Sequence, residues 1–402
     1  MLDRTHSSTR LIGEIPPEFR STGRDPRIDV CRGIALWWIF IDHIPNNVGS
    51  WLTLRNYGFC DAAEIFMFIS GVTCALAYGR ARQRDGWRGM IGRSLRRGWD
   101  IYAAFLLLTL ACAVLVYVAG NDRLADESNI WVLFKDPGAT LARAAVLQFR
   151  PVNTDVLPVF VICHVLFAPL LWLLLRAPNV TLGLSSLLYA LVHVFGWRVP
   201  AWPDGVWFFN PLAWQLLVVL GAWYVVEGPK IRRWVASRSA LVVSALYLAF
   251  SLVFALGHDI KPLVPQSLTD LLLPLDKSNL SPLRLLHFLA LAIVALRLVP
   301  AGWQGLSMPM LRGARCCGEN SLPIYCLGVL LALVSQFDLF DVANRLSMQI
   351  ALSLGGVLMM IVAAMVLNAF STRHKRHPPV DAADRDVAAA VTDWNAGDRA
   401  PG

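Results

Sequence analysis

The chain carries about ten stretches of roughly 20 residues in which apolar side chains run almost unbroken, and this leaves few folds open. A hydrocarbon core about 30 Å thick takes roughly 20 residues of helix to cross. In lipid every backbone amide must find its partner inside the protein, which only helices and closed barrels manage. The stretches are residues 30–48, 59–79, 100–120, 153–175, 180–197, 207–226, 239–257, 282–299, 319–337 and 348–370. They predict an all-α polytopic membrane protein of about ten transmembrane helices. The first is interrupted by Asp42-His43, and the fifth is the least clearly defined. Segment 139–149 is too short to span and reads as a surface or re-entrant helix. Composition agrees: 16% of the 402 residues are charged, against about 25% in soluble domains.

The net charge of +8 raises nucleic acid as a partner, but the basic residues fall in short loops between apolar runs, which is a topology signal. With both termini cytoplasmic (N-in/C-in), roughly 26 of the 36 Lys and Arg residues lie inside and about 10 outside. The opposite orientation violates the positive-inside rule heavily. Residues 1–28 form a polar cytoplasmic segment without the apolar core of a cleavable signal peptide. Residues 29–372 form the membrane domain, and 373–402, charged and rich in Ala and Asp, read as a disordered cytoplasmic tail. The eight cysteines follow no framework spacing or CxxC pattern and read as small apolar residues. No metal is expected, because no HxxxH spacing occurs and the one adjacent Cys/His pair within a span, Cys163-His164, is a weak signal.

An ionisable side chain in a span costs at least ~2.5–3.5 kcal/mol near the bilayer centre, so each marks a functional position by default. Arg32 and His43 stand eleven residues apart on the first span. That is about three turns, which puts both on one face about 16 Å apart, a guanidinium at the cytoplasmic surface and an imidazole nearer mid-membrane. Asp29 joins the face below Arg32. An imidazole with an ordinary pKa near 6.5 suits a general base that accepts a hydroxyl proton. Asp42 points about 100° round the helix, so helical geometry does not make it the orienting partner. Taken alone, His43 reads more readily as an interhelical hydrogen-bonder than as a catalytic group. With Arg32 and Asp42 beside it, the three form the candidate catalytic set.

Asp61 and Glu64 share a face at the external start of the second span, placed to hydrogen-bond sugar hydroxyls or orient His43; the plain alternative is a solvated helix start. Ser70 and Gly71 read as close-packing residues, and no GxSxG elbow makes Ser70 a nucleophile. Arg55, Asp155 and His287 complete the candidate acceptor side. The run of arginines between 80 and 97 is a positive-inside loop that equally suits the phosphates of a nucleotide-bearing donor, since Arg binds phosphate bidentately. Arg80, Arg93, Arg96 and Arg97 are the candidate donor-binding residues. His164 and His193 read as interhelical hydrogen-bonders.

The stretch from Arg27 to His43 resembles the first-helix motif of the acyltransferase-3 superfamily, and FMFISG at 66–71 is similar to that superfamily's second-helix SG motif. Residues 41–71, 208–223 and 283–292 more closely resemble the OpgC family, with looser likeness at 154–158 and 318–328. The resemblance runs from about 24 to 370. It implies a ten-helix bacterial inner-membrane enzyme that moves succinyl groups from cytoplasmic succinyl-CoA to osmoregulated periplasmic glucans. It sets Arg32 and His43 at the superfamily's Arg and catalytic His, and Asp61 and Glu64 at the family's DAAE acids. Val159-Phe160 after Pro158, and Glu319, depart from the family pattern and leave the acyl group and glucan type open. Acyl-CoA is then the co-substrate, and the partners are the glucan, the bilayer and no nucleic acid, with a homodimer compatible. On this reading the CoA phosphates dock on cytoplasmic arginines and the pantetheine arm threads between helices one to three. His43 acts as base, or as a covalent acyl carrier. A proton-coupled transporter or exporter of a glycan-type substrate also buries His and Asp, but calls for inverted repeats or paired broken helices, and the sequence displays neither.

Overall fold

The computed structural model describes residues 25–256, 275–300, 303–341 and 345–376. Most of the expected N-terminal segment and of the tail lies outside them. Thirteen α-helices run through the described residues. They are α1 (Pro26–Asp42), α2 (Ala62–Ala119), α3 (Asp122–Glu127), α4 (Trp131–Lys135), α5 (Pro137–Ala145), α6 (Val156–Arg176) and α7 (Pro178–Phe195), followed by α8 (Pro211–Val235), α9 (Arg238–Leu256), α10 (Pro282–Leu298), α11 (Pro309–Glu319), α12 (Ser321–Asp341) and α13 (Leu346–Arg376). The only β pairing among these residues is one bridge, Pro200 to Val206.

Helix covers part of each of the ten apolar stretches, and the short segment expected near 139–149 is α5. Among the described residues six helices are long and apolar enough to cross a bilayer, or seven if α11 and α12 count as one span bent by 96°. Two expected spans, 59–79 and 100–120, are halves of α2, divided at Gly86 (φ 68°, ψ −163°). That conformation belongs almost only to glycine. Tyr78 and Ser94, eight residues either side of it, both reach His164, so the chain folds back at Gly86. The arginine run occupies this turn.

The outer faces are apolar and the interior carries the charges, as a lipid solvent requires. Leu107, Val114 and Tyr117 of α2, Val194 of α7, Leu246 of α9 and Leu354 and Leu358 of α13 point outward, while Glu64, Arg284 and Asp29 are buried. Helices approach to backbone contact through glycine, the packing device of membrane helices. A Cβ on Gly71 would strike the Val218 carbonyl, and one on Gly221 the Phe68 carbonyl, which locks α2 to α8. Gly33 and Gly318 lock α1 to α11 in the same reciprocal way.

Candidate functional site

Four chain segments end or begin at one end of the bundle and bring their polar residues into a single layer. Helix α1 stops at Asp42, with His43 as its C-cap. The first apolar stretch is therefore shorter than its expected bounds of 30–48, and His43 sits at a helix end. Two 3₁₀ turns, Val48–Leu52 and Leu54–Asn56, carry the chain on to α2. Their placement follows from local chemistry. The Asn47 side chain caps the first turn and bonds Ser353, and the Thr53 hydroxyl donates to Asp42 Oδ1 at 2.7 Å. Arg55, exposed, donates to the Asp42 carbonyl at 3.4 Å.

Asp61 and Glu64 open α2 as a capping box, which satisfies the helix's first amides. Their remaining oxygens meet cations from the other side of the sequence. Arg284 Nε donates to Glu64 at 2.7 Å and its Nη2 to Asp61 at 3.0 Å, while Lys277 Nζ lies 2.6 Å from Asp61. Asp61 and Glu64 are therefore joined into a four-residue ion cluster, and Glu64 is fully buried. Lys277, Asp61 and Arg55 are the charged groups that act on the His43 imidazole, and the same three act on Asp42. Asp155 precedes α6, pairs with Arg150 at 3.1 Å, and also feels Lys277. Arg150 in turn stacks over Trp207, 4.7 Å from its centroid.

His287 is enclosed. Its Nδ1 lies 2.9 Å from Cys60 Sγ, Phe59 and Tyr247 flank the ring, and Gly58 packs directly on the imidazole. The glycine is there because a side chain would collide with His287, so this histidine belongs to the packing of α10 against α9 and the segment that leads into α2.

Below the layer lies a cavity of about 290 Å³ between the two halves of α2, α6 and α12. Arg32, Arg93 and Arg97 line it, with His164, Thr73, Tyr78 and Tyr325, and no carboxylate does. Arg32 donates to Thr73 Oγ1 at 2.7 Å and lies over Phe66, 5.9 Å from its centroid. His164 Nδ1 sits 2.8 Å from the Phe160 carbonyl, with Cys74 Sγ 3.5 Å from Nε2. Val156, next to Asp155, and Tyr325, whose hydroxyl donates to the Asn153 carbonyl at 2.6 Å, close the end nearest the ionic layer. Arg80 and Arg96 lie off this lining.

The structure thus gathers His43, Asp42, Arg55, Asp61, Glu64 and Asp155 at one level, and Arg32, Arg93 and Arg97 around the cavity. It adds Lys277, Arg284 and Arg150, which sequence reasoning did not select. No spacing could have found Lys277, since it reaches Asp61 across more than two hundred residues. Among the described residues no group of three His, Cys, Asp or Glu side chains is placed to hold a metal ion.

A family model described as OpgC protein matches residues 24–372. The chain belongs to the OpgC family. Its membership and its apolar helices make it a multi-pass membrane acyltransferase that acts on glucans. No curated protein matches the chain, and no solved structure does. Within this OpgC-family chain, the matched span takes in the whole ionic layer and the whole arginine-lined cavity.

Proposed function

We propose that the protein is an O-succinyltransferase of the bacterial inner membrane, crossing it ten times with both termini cytoplasmic. It moves the succinyl group of cytoplasmic succinyl-CoA to a hydroxyl of a periplasmic glucan, with His43 as general base. The observation that carries this reading is a carboxylate-free cavity lined by three arginines, closed at one end by residues adjoining the layer that holds His43. Arginine forks suit phosphates, so Arg93 and Arg97 take the nucleotide end of the donor, and Arg32 its approach to the layer. The apolar lining contributed by Phe66, Ile101, Val156 and Phe160 suits the pantetheine arm.

A glucosyl hydroxyl enters from the opposite side, past Arg55. His43 accepts its proton as the hydroxyl oxygen bonds to the thioester carbonyl carbon, and returns that proton to the departing thiolate. Asp42, the residue before His43, is held by the Thr53 hydroxyl. A second copy in a homodimer is not needed for any of these steps. One broken helix pair is present among the described residues, at α11 and α12, whereas an inverted-repeat transporter calls for two.

The test is purified protein with succinyl-CoA, acetyl-CoA or propionyl-CoA and linear or cyclic glucans, read by product mass. Addition of about 100 Da per hydroxyl with succinyl-CoA supports the reading. No transfer from any acyl-CoA overturns it and favours transport.

A further inference from the structure

Acyl transfer places two opposite charges in the site at once. When the hydroxyl oxygen adds to the thioester carbonyl, the π pair moves onto the carbonyl oxygen and the proton moves to the base. Donors aimed at that oxyanion supply much of the rate enhancement in such reactions. Among the described residues four cations stand in or beside the layer around His43, and three are committed. Arg284 spends its fork on Asp61 and Glu64. Arg150 is held by Asp155, the Leu147 carbonyl and the Trp207 ring. Arg55 is exposed and engages the Asp42 carbonyl, so bulk water weakens its field.

Lys277 differs from all three. Its side chain is 32% exposed, against 9% for Arg284 and 11% for Asp61, so Lys277 is the member of this ion cluster most open to its surroundings. An ammonium carries three donors, and Asp61 takes one at 2.6 Å. The backbone that presents it is fixed. Trp214 Nε1 donates to the Lys277 and Ser278 carbonyls at 3.1 Å, and the Asn210 amide donates to Ser278 at 3.0 Å. Phe208 and Phe209 wall the ammonium at 5.7 and 5.6 Å, which limits its hydration and aims it.

We propose that Lys277 is a catalytic residue that stabilises the oxyanion of the tetrahedral intermediate formed beside His43, with Asp61 holding the ammonium in place. This rests on the acyl-transfer reading above. In the forward step the C–O bond forms, the carbonyl pair settles on oxygen against Lys277, and His43 takes the hydroxyl proton. In collapse the oxygen pair re-forms the carbonyl, the C–S bond breaks, and the thiolate takes the proton from His43. The net charge of the layer is unchanged throughout, because imidazolium and oxyanion appear and vanish together. The imidazolium has Asp61 as its nearby carboxylate, and the oxyanion faces Lys277.

The experiment is steady-state kinetics of full-length Lys277→Ala and Lys277→Arg with succinyl-CoA and glucan. Losing one preorganised oxyanion donor lowers kcat by about 10²–10³-fold. We expect that loss in Lys277→Ala with both KM values held within about threefold, kcat within about tenfold of wild type in Lys277→Arg, and partial recovery of Lys277→Ala on adding ethylammonium. A residue that only braces Asp61 would instead show its loss as a lowered melting temperature and disturbed KM values rather than in kcat alone. Where Lys277→Ala does not purify as a monodisperse species, Lys277→Met fills the same space and is read the same way. A kcat within threefold of wild type, a loss carried by KM alone, or absence of recovery with the amine overturns the assignment. If His43→Ala retains full activity or no acyl-CoA is used, it is the acyl-transfer reading that fails.

Discussion

Charged residues inside this protein are arranged as matched sets, and each set answers a different need. Arg284 is the hinge of one of them, because Glu64 is completely enclosed and its two oxygens have Arg284 and the Asp61 amide as partners. Breaking a buried pair from one side typically costs about 3–5 kcal/mol. Arg284→Ala is therefore expected to lower the melting temperature in detergent sharply and to reduce the yield of monodisperse protein. Replacing Arg284, Asp61 and Glu64 together with apolar residues of similar volume should restore stability but not activity. Thermal unfolding followed by size exclusion reads both. The pairing itself was only half legible. Asp61 and Glu64 stand out in the sequence as acids at a span start, with the external surface as their natural reading. Arg284 lies 220 residues away, and nothing in local spacing joins them.

Helices were the most legible feature, because lipid forces apolar continuity and that continuity is visible residue by residue. Their breaks were less so. The first span ends at Asp42, since the side chains of Asn47 and Thr53 take over the turn chemistry immediately afterwards. The second and third spans join through Gly86, and the Asp85-Gly86 turn pair that marks the reversal lies inside the arginine run, where it reads only as part of a loop. At Gly86 a Cβ would meet no atom within 4 Å, so the whole cost of a side chain is backbone strain. Gly86→Ala is expected to destabilise by about 1–3 kcal/mol, measured as a shift in thermal midpoint. At Gly71 the reverse holds: the backbone is ordinary helix and the obstacle is the Val218 carbonyl, so a side chain there forces α2 and α8 apart.

At the scale of the whole molecule, two compartments of unlike character meet inside one bundle. The arginine-lined cavity holds no acid, and the layer above it balances acids with cations. That contrast predicts separable kinetics. Arg93→Ala combined with Arg97→Ala should raise KM for acyl-CoA at least about tenfold, leave KM for glucan unchanged, and flatten the salt dependence of donor binding, because screened charge is what it removes. The sequence pointed to the arginine run but could not say which members face inward, since the turn at Gly86 selects Arg93 and Arg97 and leaves Arg80 and Arg96 off the lining. The proposed reaction passes its proton through His43, a residue of the layer. Single-turnover mass spectrometry of purified His43→Ala with succinyl-CoA and glucan measures this most directly. A general base contributes about 10²–10⁴-fold, so succinylated glucan should form at least a hundredfold more slowly while acyl-CoA binding stays at wild-type strength. Product formed at the wild-type rate would contradict it.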